Sequence, residues 1–302
     1  MDMLIARLIA ETDKCETRLD TLVAALGDAG AQVTAAALPE GIAGPEGDAG
    51  VLELHMDGGD EPGVLAAIDD IFEAPAMLVA QGPIEVPRLF VSDMDSTMIG
   101  QECIDELADY AGIKDRIAAI TERAMQGELD FEAALRERVA LLAGLDEGAI
   151  HACLAERITA SAGAKTLVAT LAALGTRTVL VTGGFHHFAD PVAEMLGFHR
   201  VVGNRLAVED GRLTGGLVGP ITDSAVKAAV LHEELAGLGE GAHSLATGDG
   251  ANDILMIEAA TYGFAYRAKP KARAAANGRV DDADLTAVLT LLGVPRSVWI
   301  EA

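Results

Sequence analysis

The chain has 302 residues, half of them hydrophobic, and its 22 Lys and Arg stand against 47 Asp and Glu, giving a formal net charge of −25. This size and apolar content predict one large domain and a smaller one, and the negative charge argues against nucleic acid or an anionic membrane as a partner. The three cysteines are widely spaced and form no Cys-x-x-Cys pair, which argues against a disulfide framework or a zinc site. No apolar run approaches the length of a membrane span, and the first segment is unlike a signal peptide, so we expect a cytoplasmic protein.

The first 82 residues alternate between the sequence periods of strands and helices. Strands are predicted at 3–10, 32–38, 51–56 and 76–80, and helices at 15–29 and 62–72. This βαββαβ order is typical of a small ferredoxin-like α+β domain. Pro39 to Gly50 is predicted to be a long hairpin loop. The first strand is not followed by a glycine-rich turn that would bind an amino acid, so a structural or homodimerising role fits this domain at least as well as ligand binding.

Two prolines and a glycine in Gly82 to Pro87 indicate a domain boundary. We therefore divide the chain into a first domain at 1–82, a linker at 83–87 and a second domain at 88–302. The second domain alternates helical segments with four predicted strands, near 88–92, 177–181, 243–247 and 262–266. This alternation predicts an α/β fold with a parallel, Rossmann-like sheet.

Two insertions are predicted in this sheet. Residues 205–219 contain the turn signal Glu209-Asp210-Gly211 between short β runs, which predicts a hairpin. Residues 103–158 have helical periodicity and no strand pattern. We expect them to form a lid over the carboxyl ends of the strands.

Two carboxylates follow directly after the apolar strand Leu89-Phe90-Val91-Ser92. Asp93 and Asp95 are spaced i, i+2 at the end of this strand, where open α/β sheets bind their ligands. Their mutual repulsion is tolerated when a cation or a shared proton lies between them. Asp and Ser are also common turn residues, so an Asp-rich turn is the alternative interpretation.

Polar residues also end two later strands. Thr182-Gly183-Gly184 offers a hydroxyl and unhindered backbone N–H groups, which suit a phosphate group or another anion. Gly-Gly is also common in a plain strand-to-helix turn, which is the alternative interpretation. Asp249, Asn252 and Asp253 place three oxygen-bearing side chains within five residues, as a hard cation such as Mg²⁺ requires. The spacing does not fit the EF-hand pattern, which argues against a calcium loop.

Lys227 lies in the first turn of a predicted helix that begins at the cap cluster Thr222-Asp223-Ser224. A cation in this position opposes the helix dipole. Lys227 is therefore either a functional residue or a solvated surface lysine.

Four segments, at 93–97, 182–184, 227 and 248–253, resemble in this chain order the motifs of the haloacid dehalogenase (HAD) superfamily. Three further segments resemble the helical cap of the phosphoserine phosphatases in that superfamily, namely Glu102 to Ala108, Ala124 to Gly127 and Phe131 to Val139. The resemblance covers about residues 88–295 and implies a Rossmann-like HAD core with a cap at about 98–160. It departs at Thr182, where phosphoserine phosphatases usually carry Ser. The βαββαβ pattern before it is similar to ACT-type domains.

The resemblance implies Mg²⁺-dependent hydrolysis of O-phosphoserine to serine and phosphate, the last step of serine biosynthesis, through an aspartyl-phosphate. Asp93 would be the nucleophile, Asp95 the general acid and then base, and Lys227 the cation that balances the phosphoryl charge. The metal would be held by Asp93, the backbone carbonyl of Asp95 and Asp249, with Asn252 and Asp253 supporting it.

The resemblance also implies the residues that bind the substrate. The phosphoryl group would lie against Thr182, Gly183, Lys227 and Asn252. In the cap, Glu102 would bind the amino group and Arg138 the carboxylate, while Met125 and Phe131 would close the lid against water.

Periodicity singles out Arg138 without the family. Phe131, Leu135, Arg138 and Leu142 are spaced i, i+4, i+7 and i+11, which places Arg138 on the apolar face of its helix. An arginine there needs a partner, such as a substrate carboxylate. Alternatively, its stem extends past the apolar face to solvent.

Two rival functions belong to other classes. The first is a HAD hydrolase or phosphotransferase that acts on another small phosphomonoester. The cap segments argue against a different substrate, whereas transfer of the phosphoryl group to an acceptor alcohol fits the sequence as well as hydrolysis does. The second is a non-catalytic amino-acid sensor, and the presence of every catalytic residue of the family argues against it.

Overall fold

A computed structural model of the protein describes residues 3–39, 49–125 and 128–301. The first domain has the predicted βαββαβ order, and its strands form an antiparallel array in the order β2-β3-β1-β4. Most of the predicted hairpin loop at 39–50 lies outside the described residues. The elements are β1 (Met3–Glu11), α1 (Thr12–Asp28), β2 (Ala31–Ala37), β3 (Ala49–Gly58), α2 (Glu61–Phe72) and β4 (Ala76–Gln81).

The second domain is the predicted α/β unit. Its cap consists of α3 (Cys103–Tyr110), α4 (Lys114–Met125), α5 (Phe131–Ala140) and α6 (Gly148–Arg157), inserted after β5 (Leu89–Ser92). The other elements are α7 (Ala164–Ala173), β6 (Arg177–Phe185), α8 (His186–Leu196), β7 (Arg200–Glu209), β8 (Arg212–Val218), α9 (Ser224–Ala236), β9 (Ser244–Gly248), α10 (Ile254–Ala259), β10 (Tyr262–Tyr266), α11 (Pro270–Ala275), β11 (Gly278–Val280) and α12 (Thr286–Leu291). Within the described ranges, no helix is both long enough and apolar enough to cross a membrane.

Five parallel strands form the centre of the second domain, in the order β10-β9-β5-β6-β7. The predicted hairpin is present as the antiparallel pair β7 and β8. Because parallel strands share one direction, the carboxyl ends of β5, β6 and β9 lie side by side at one edge. The residues that follow these strands are therefore brought together.

The two domains share one continuous sheet of 11 strands. Strand β4 pairs antiparallel with β11, so the sheet runs past the predicted linker at 83–87 without a break. Strand β1 is buried on both faces, because Leu8 packs in the core of the first domain while Ile9 packs in the core of the second. The sequence predicted two separate units and did not reveal this junction.

A charged network supports the junction. Asp69 on α2 accepts a hydrogen bond from Arg273 at 3.0 Å and also contacts the Arg279 guanidinium. Arg273 also forms an ion pair with Asp281, at 2.9 Å. Arg279 is nearly buried, and within the described residues Asp69 is its one carboxylate partner within 4 Å. Burial lowers the pKa of Arg279, while Asp69 opposes this shift.

Asp69→Ala is expected to lower the free energy of unfolding by about 2–4 kcal/mol, because it leaves the buried Arg279 guanidinium without its partner. Asp70→Ala is the matched control, since Asp70 is the exposed neighbour on the same helix and should change stability by less than about 0.5 kcal/mol. Urea unfolding of both variants measures the difference. Equal effects of the two substitutions would show that the network does not stabilise the junction.

Candidate active site

Asp93, Lys227 and Asp253 form a buried charged cluster at the carboxyl edge of the sheet. The Lys227 Nζ lies 2.7 Å from Asp93 Oδ1 and 2.7 Å from Asp253 Oδ1. The Lys227 side chain is only 1% exposed, so its interpretation as a solvated surface lysine is wrong. Burial alone lowers the pKa of this ammonium, but the two carboxylates outweigh burial and raise its pKa. Lys227 is therefore a permanent positive charge beside Asp93.

The turn after β9 places two more carboxylates beside Asp93. Asp253 Oδ2 accepts backbone hydrogen bonds from Asp249 at 3.2 Å and from Gly250 at 3.0 Å. Both oxygens of Asp253 thus have protein donors, whereas among the described residues Asp249 has Lys269, at 3.5 Å, as its one ion-pair partner. Glycine is required at Gly248, because a Cβ there would lie 2.5 Å from the Cβ of Asp253.

The site is suited to a divalent cation. Oxygen atoms of Asp93, Asp249 and Asp253 all lie within 4.8 Å of one another. Burial raises the pKa of Asp93 and of Asp249, and the charge of Asp253 adds to both shifts. One buried ammonium cannot balance three carboxylates, and a donor set made only of oxygen is the set that hard divalent cations prefer.

Asp95 lies beside Asp93 and faces the cap. Burial, and then the charge of Glu102, raise the pKa of Asp95 to about 7. Its Oδ1 accepts a hydrogen bond from the backbone N–H of Cys103 at 3.3 Å. A carboxyl group with this pKa can donate and accept a proton near neutral pH, as general acid–base catalysis requires.

Glu102 is the N-cap residue of α3 and is oriented by a neighbouring turn. The Ser96 hydroxyl donates a hydrogen bond to Glu102 Oε1 at 2.8 Å. Ser96 has a φ of 54°, in the left-handed region that residues other than glycine seldom adopt. This strained backbone lies in the turn that leads the chain from β5 into the cap.

Thr182, Gly183 and Gly184 lie at the end of β6, within the last, irregularly paired part of the strand. Thr182 Oγ1 accepts the Gly184 N–H at 2.8 Å. The side chain of Asn204 fixes the segment from the other side, because it donates to the Gly183 carbonyl at 2.8 Å and accepts from the Thr222 N–H at 2.9 Å. Nothing in the sequence pattern singled out Asn204.

A cavity of about 470 Å³ separates these strand ends from the cap. The predicted residues Asp93, Asp95, Thr182, Gly183, Asp249 and Asn252 line its floor, and Glu102, Phe131 and Arg138 line its roof. The Met125 side chain, together with Gln126 and Gly127, lies outside what the structure describes. Lys227 and Asp253 lie beneath the floor. The helical lid predicted from the sequence is confirmed.

Arg138 reaches this cavity from α5. Leu135 and Leu142 are buried as predicted, whereas Phe131 is 38% exposed at the mouth of the cavity. Burial lowers the pKa of Arg138, and the charges of Asp105 and Glu102 oppose this shift. Within the described residues no carboxylate lies within 4 Å of the Arg138 guanidinium, whose one hydrogen bond goes to the Ala134 carbonyl at 3.3 Å. The guanidinium can therefore accept an anionic group from a ligand.

The carboxylate cluster predicts an unusual pH dependence of the free energy of unfolding when no metal is bound. Unfolded aspartates titrate near pH 4, whereas the folded pKa of Asp95 is about 7 and those of Asp93 and Asp249 are raised. Between these values the folded state holds protons that the unfolded state has lost. The free energy of unfolding should therefore fall by a few kcal/mol as pH rises from about 4 to 7.

Urea unfolding in the presence of chelator, at several pH values, measures this loss. Asp95→Asn should flatten the slope, because the amide does not ionise. Identical pH slopes in the variant and the wild-type protein would contradict the raised pKa of Asp95.

Comparison with known proteins identifies clear relatives. Residues 90–258 match the family described as haloacid dehalogenase-like hydrolase. A phosphoserine phosphatase from Streptomyces coelicolor is 45% identical over 210 residues, which are 69% of this chain and 51% of that protein. One from Archaeoglobus fulgidus is 43% identical over 209 residues, which are 69% of this chain and 60% of that protein. The present chain thus covers between half and two thirds of these two relatives.

One solved structure is similar over both domains. It is a HAD family hydrolase from Salmonella enterica serovar Typhi, with 27% sequence identity and a TM-score of 0.79. The match covers 97% of this chain and 99% of that one. The arrangement of the first domain against the α/β domain therefore also occurs in an experimental structure.

Proposed function

Because the chain belongs to the haloacid dehalogenase-like hydrolase family, we propose that it hydrolyses O-phosphoserine to serine and phosphate, with Mg²⁺ as cofactor and an aspartyl-phosphate as intermediate. This reaction would be the last step of serine biosynthesis. The observation that carries the substrate assignment is the Arg138 guanidinium, which is largely desolvated, has no carboxylate partner in the described part of the chain and lines the same cavity as Asp93. We also propose the cytoplasm as its compartment, which the three buried free cysteines support.

In the first step, a carboxylate oxygen of Asp93 attacks phosphorus, and the bond from phosphorus to the seryl oxygen breaks. Lys227 offsets the repulsion between the Asp93 carboxylate and the phosphoryl group, since its ammonium contacts Asp93 Oδ1. Asp95 gives its proton to the departing seryl oxygen. Its pKa of about 7 supports this role, because a large fraction of the group is protonated at neutral pH.

In the second step, water attacks the phosphorus of the aspartyl-phosphate. Asp95, now ionised, takes a proton from this water, and the bond between phosphorus and the Asp93 oxygen breaks. Inorganic phosphate leaves, and both aspartates return to their starting states. One residue thus acts as acid and then as base, which requires that it reach both the seryl oxygen and the attacking water.

Mg²⁺ would be held by the side chains of Asp93 and Asp249 and by the backbone carbonyl of Asp95, and when bound it would stabilise the negative charge that develops on the phosphoryl oxygens. Asp253 is better suited to orienting the metal-binding residues than to binding the ion itself, because Lys227 and two backbone N–H groups already occupy its oxygens. We assign Asn252, exposed at the cavity floor, to the same supporting set and to the phosphoryl group.

We assign the phosphoryl oxygens to Thr182, Gly183 and Lys227, the amino group to Glu102 and the carboxylate to Arg138. The opposite charges of Glu102 and Arg138 on the roof of one cavity match the two charged groups of an amino acid. Phe131 at the cavity mouth would exclude water when the cap closes. We propose the same role for Met125 on α4.

Release of phosphate from a panel of phosphomonoesters, with and without Mg²⁺, tests the proposal. O-phosphoserine should be the preferred substrate, chelator should remove the activity and Mg²⁺ should restore it. Measuring serine as well separates hydrolysis from transfer to another alcohol, because hydrolysis yields equal amounts of serine and phosphate. Full activity after exhaustive chelation, or preference for an ester without amino and carboxylate groups, would contradict the proposed function.

A further inference from the structure

Residues 259–280 form a basic segment in a strongly acidic chain. The segment contains no Asp or Glu, although the chain has 47 of them, and it carries Arg267, Lys269, Lys271, Arg273 and Arg279. A dianionic phosphomonoester is repelled by a protein with a net charge of −25. A local concentration of positive charge beside the active site would offset this repulsion.

The structure places four of these five cations in two groups. Arg273 and Arg279 are paired with acidic residues at the domain junction. Arg267 and Lys269 instead line a second cavity, of about 360 Å³, next to the catalytic one. Arg267 has no carboxylate within 4 Å among the described residues, and Lys269, although it lies 3.5 Å from Asp249, is 64% exposed. Both cations are therefore available to a ligand from solvent.

The second cavity adjoins the catalytic cavity, because Lys269 and Asp249 line both. The hydroxyl-bearing residues Ser96 and Ser161 also line the second cavity. Lys269 thus lies at the boundary between the two cavities. An anion that passes from one cavity to the other passes beside its ammonium group.

Arg267 is held in place despite its exposure. Its guanidinium lies 5.3 Å from the centre of the Tyr266 ring, within the range of a cation–π contact. Its backbone has a left-handed φ of 45° and is fixed by a hydrogen bond of 2.8 Å from its N–H to the Val280 carbonyl. Bulky residues seldom adopt this conformation, and it fixes the point at which the Arg267 side chain leaves the backbone.

We propose that Arg267 and Lys269 form a capture site for phosphate dianions beside the catalytic cavity. The ligand is a phosphomonoester on its way to Asp93 or inorganic phosphate on its way out, since both present the same oxygens to the two cations. Assignment of the incoming ligand as O-phosphoserine rests on the proposed function. The binding of a phosphate dianion does not.

Kinetics of Arg267→Gln and Lys271→Gln provide the first test. Both substitutions remove one positive charge from the same segment, but Lys271 lines neither cavity. At low ionic strength kcat/KM of Arg267→Gln should fall roughly threefold to tenfold, mainly through KM, and the fall should shrink when salt shortens the screening length. Lys271→Gln should stay close to the wild-type protein. Lys269→Gln is less decisive, because Lys269 also contacts Asp249.

Binding of inorganic phosphate to the Mg²⁺-loaded protein provides the second test and needs no turnover. Phosphorus NMR titration should show two binding events in the wild-type protein and in Lys271→Gln, but one in the double variant Arg267→Gln/Lys269→Gln. If the second phosphate-binding event is lost and kcat/KM is lower, the site binds the incoming substrate. If the event is lost and the only kinetic change is weaker inhibition by phosphate, the site binds the departing product.

The proposal is overturned if the double variant shows the same phosphate titration as Lys271→Gln and if Arg267→Gln shows the same kinetics as Lys271→Gln. A wild-type protein that releases no phosphate from O-phosphoserine would instead refute the proposed function, and the titration would still decide the capture site.

Discussion

Asp93→Asn is expected to lower turnover of O-phosphoserine by roughly 10⁴-fold or more, because the amide retains the shape of the side chain but offers no anionic oxygen to attack phosphorus. The fold should remain intact. Lys227 keeps its second carboxylate, Asp253, at 2.7 Å, so no buried charge loses all of its partners. Initial rates with saturating substrate and Mg²⁺ measure the effect.

Stability in the presence of chelator is the control for this variant. Removing one of the three clustered carboxylates relieves repulsion, so Asp93→Asn without metal should unfold at the same urea concentration as the wild-type protein or a higher one. A folded variant that keeps more than about one tenth of the wild-type turnover would refute covalent catalysis by Asp93.

Arg138→Ala is expected to lower kcat/KM for O-phosphoserine by roughly 30-fold to several thousand-fold. In a closed cap, loss of the guanidinium leaves the substrate carboxylate desolvated and unpaired, at a cost of about 2–5 kcal/mol, and about 1.4 kcal/mol corresponds to each factor of ten. Phosphoethanolamine lacks the carboxylate, so its poorer turnover should hardly change. The kcat/KM values for the two substrates should therefore become similar in the variant.

Arg136→Ala is the matched control on the same helix. Arg136 is exposed and paired with Glu132 at 2.7 Å, so its loss should leave both substrates unaffected. If Arg138→Ala lowers turnover of both substrates equally, or of neither, Arg138 does not bind the carboxylate and the phosphoserine assignment loses its main physical support.

The fold could be predicted from the sequence where the local pattern is strong. The βαββαβ order, the parallel strands and the helical lid follow from periodicity and turn residues. The continuous sheet could not be predicted, because β11 has only three residues and its partner β4 lies about 200 positions earlier in the chain. So short a strand carries no pattern, and its pairing depends on the packing of whole domains.

The core of the candidate site could also be predicted, since Asp93 and Asp249 follow, and Thr182 lies near the end of, parallel strands whose ends must meet at one edge. The role of Lys227 could not be decided from the sequence, because its spacing also fits a surface lysine, and its burial excludes that alternative. Asn204 and Lys269 were missed. Each is a single polar residue outside any motif, and its position beside the site depends on the three-dimensional fold. The catalytic and binding roles of these residues remain predictions.

The most direct measurement of the central claim is a single turnover with O-phosphoserine that carries labelled phosphate, stopped with acid within the first turnover. The proposed reaction predicts transient label on the protein, stable in acid and located by peptide mapping at Asp93, which forms and then decays as inorganic phosphate appears. Phosphate release with no label on the protein at any time, or label on a residue other than Asp93, would contradict it.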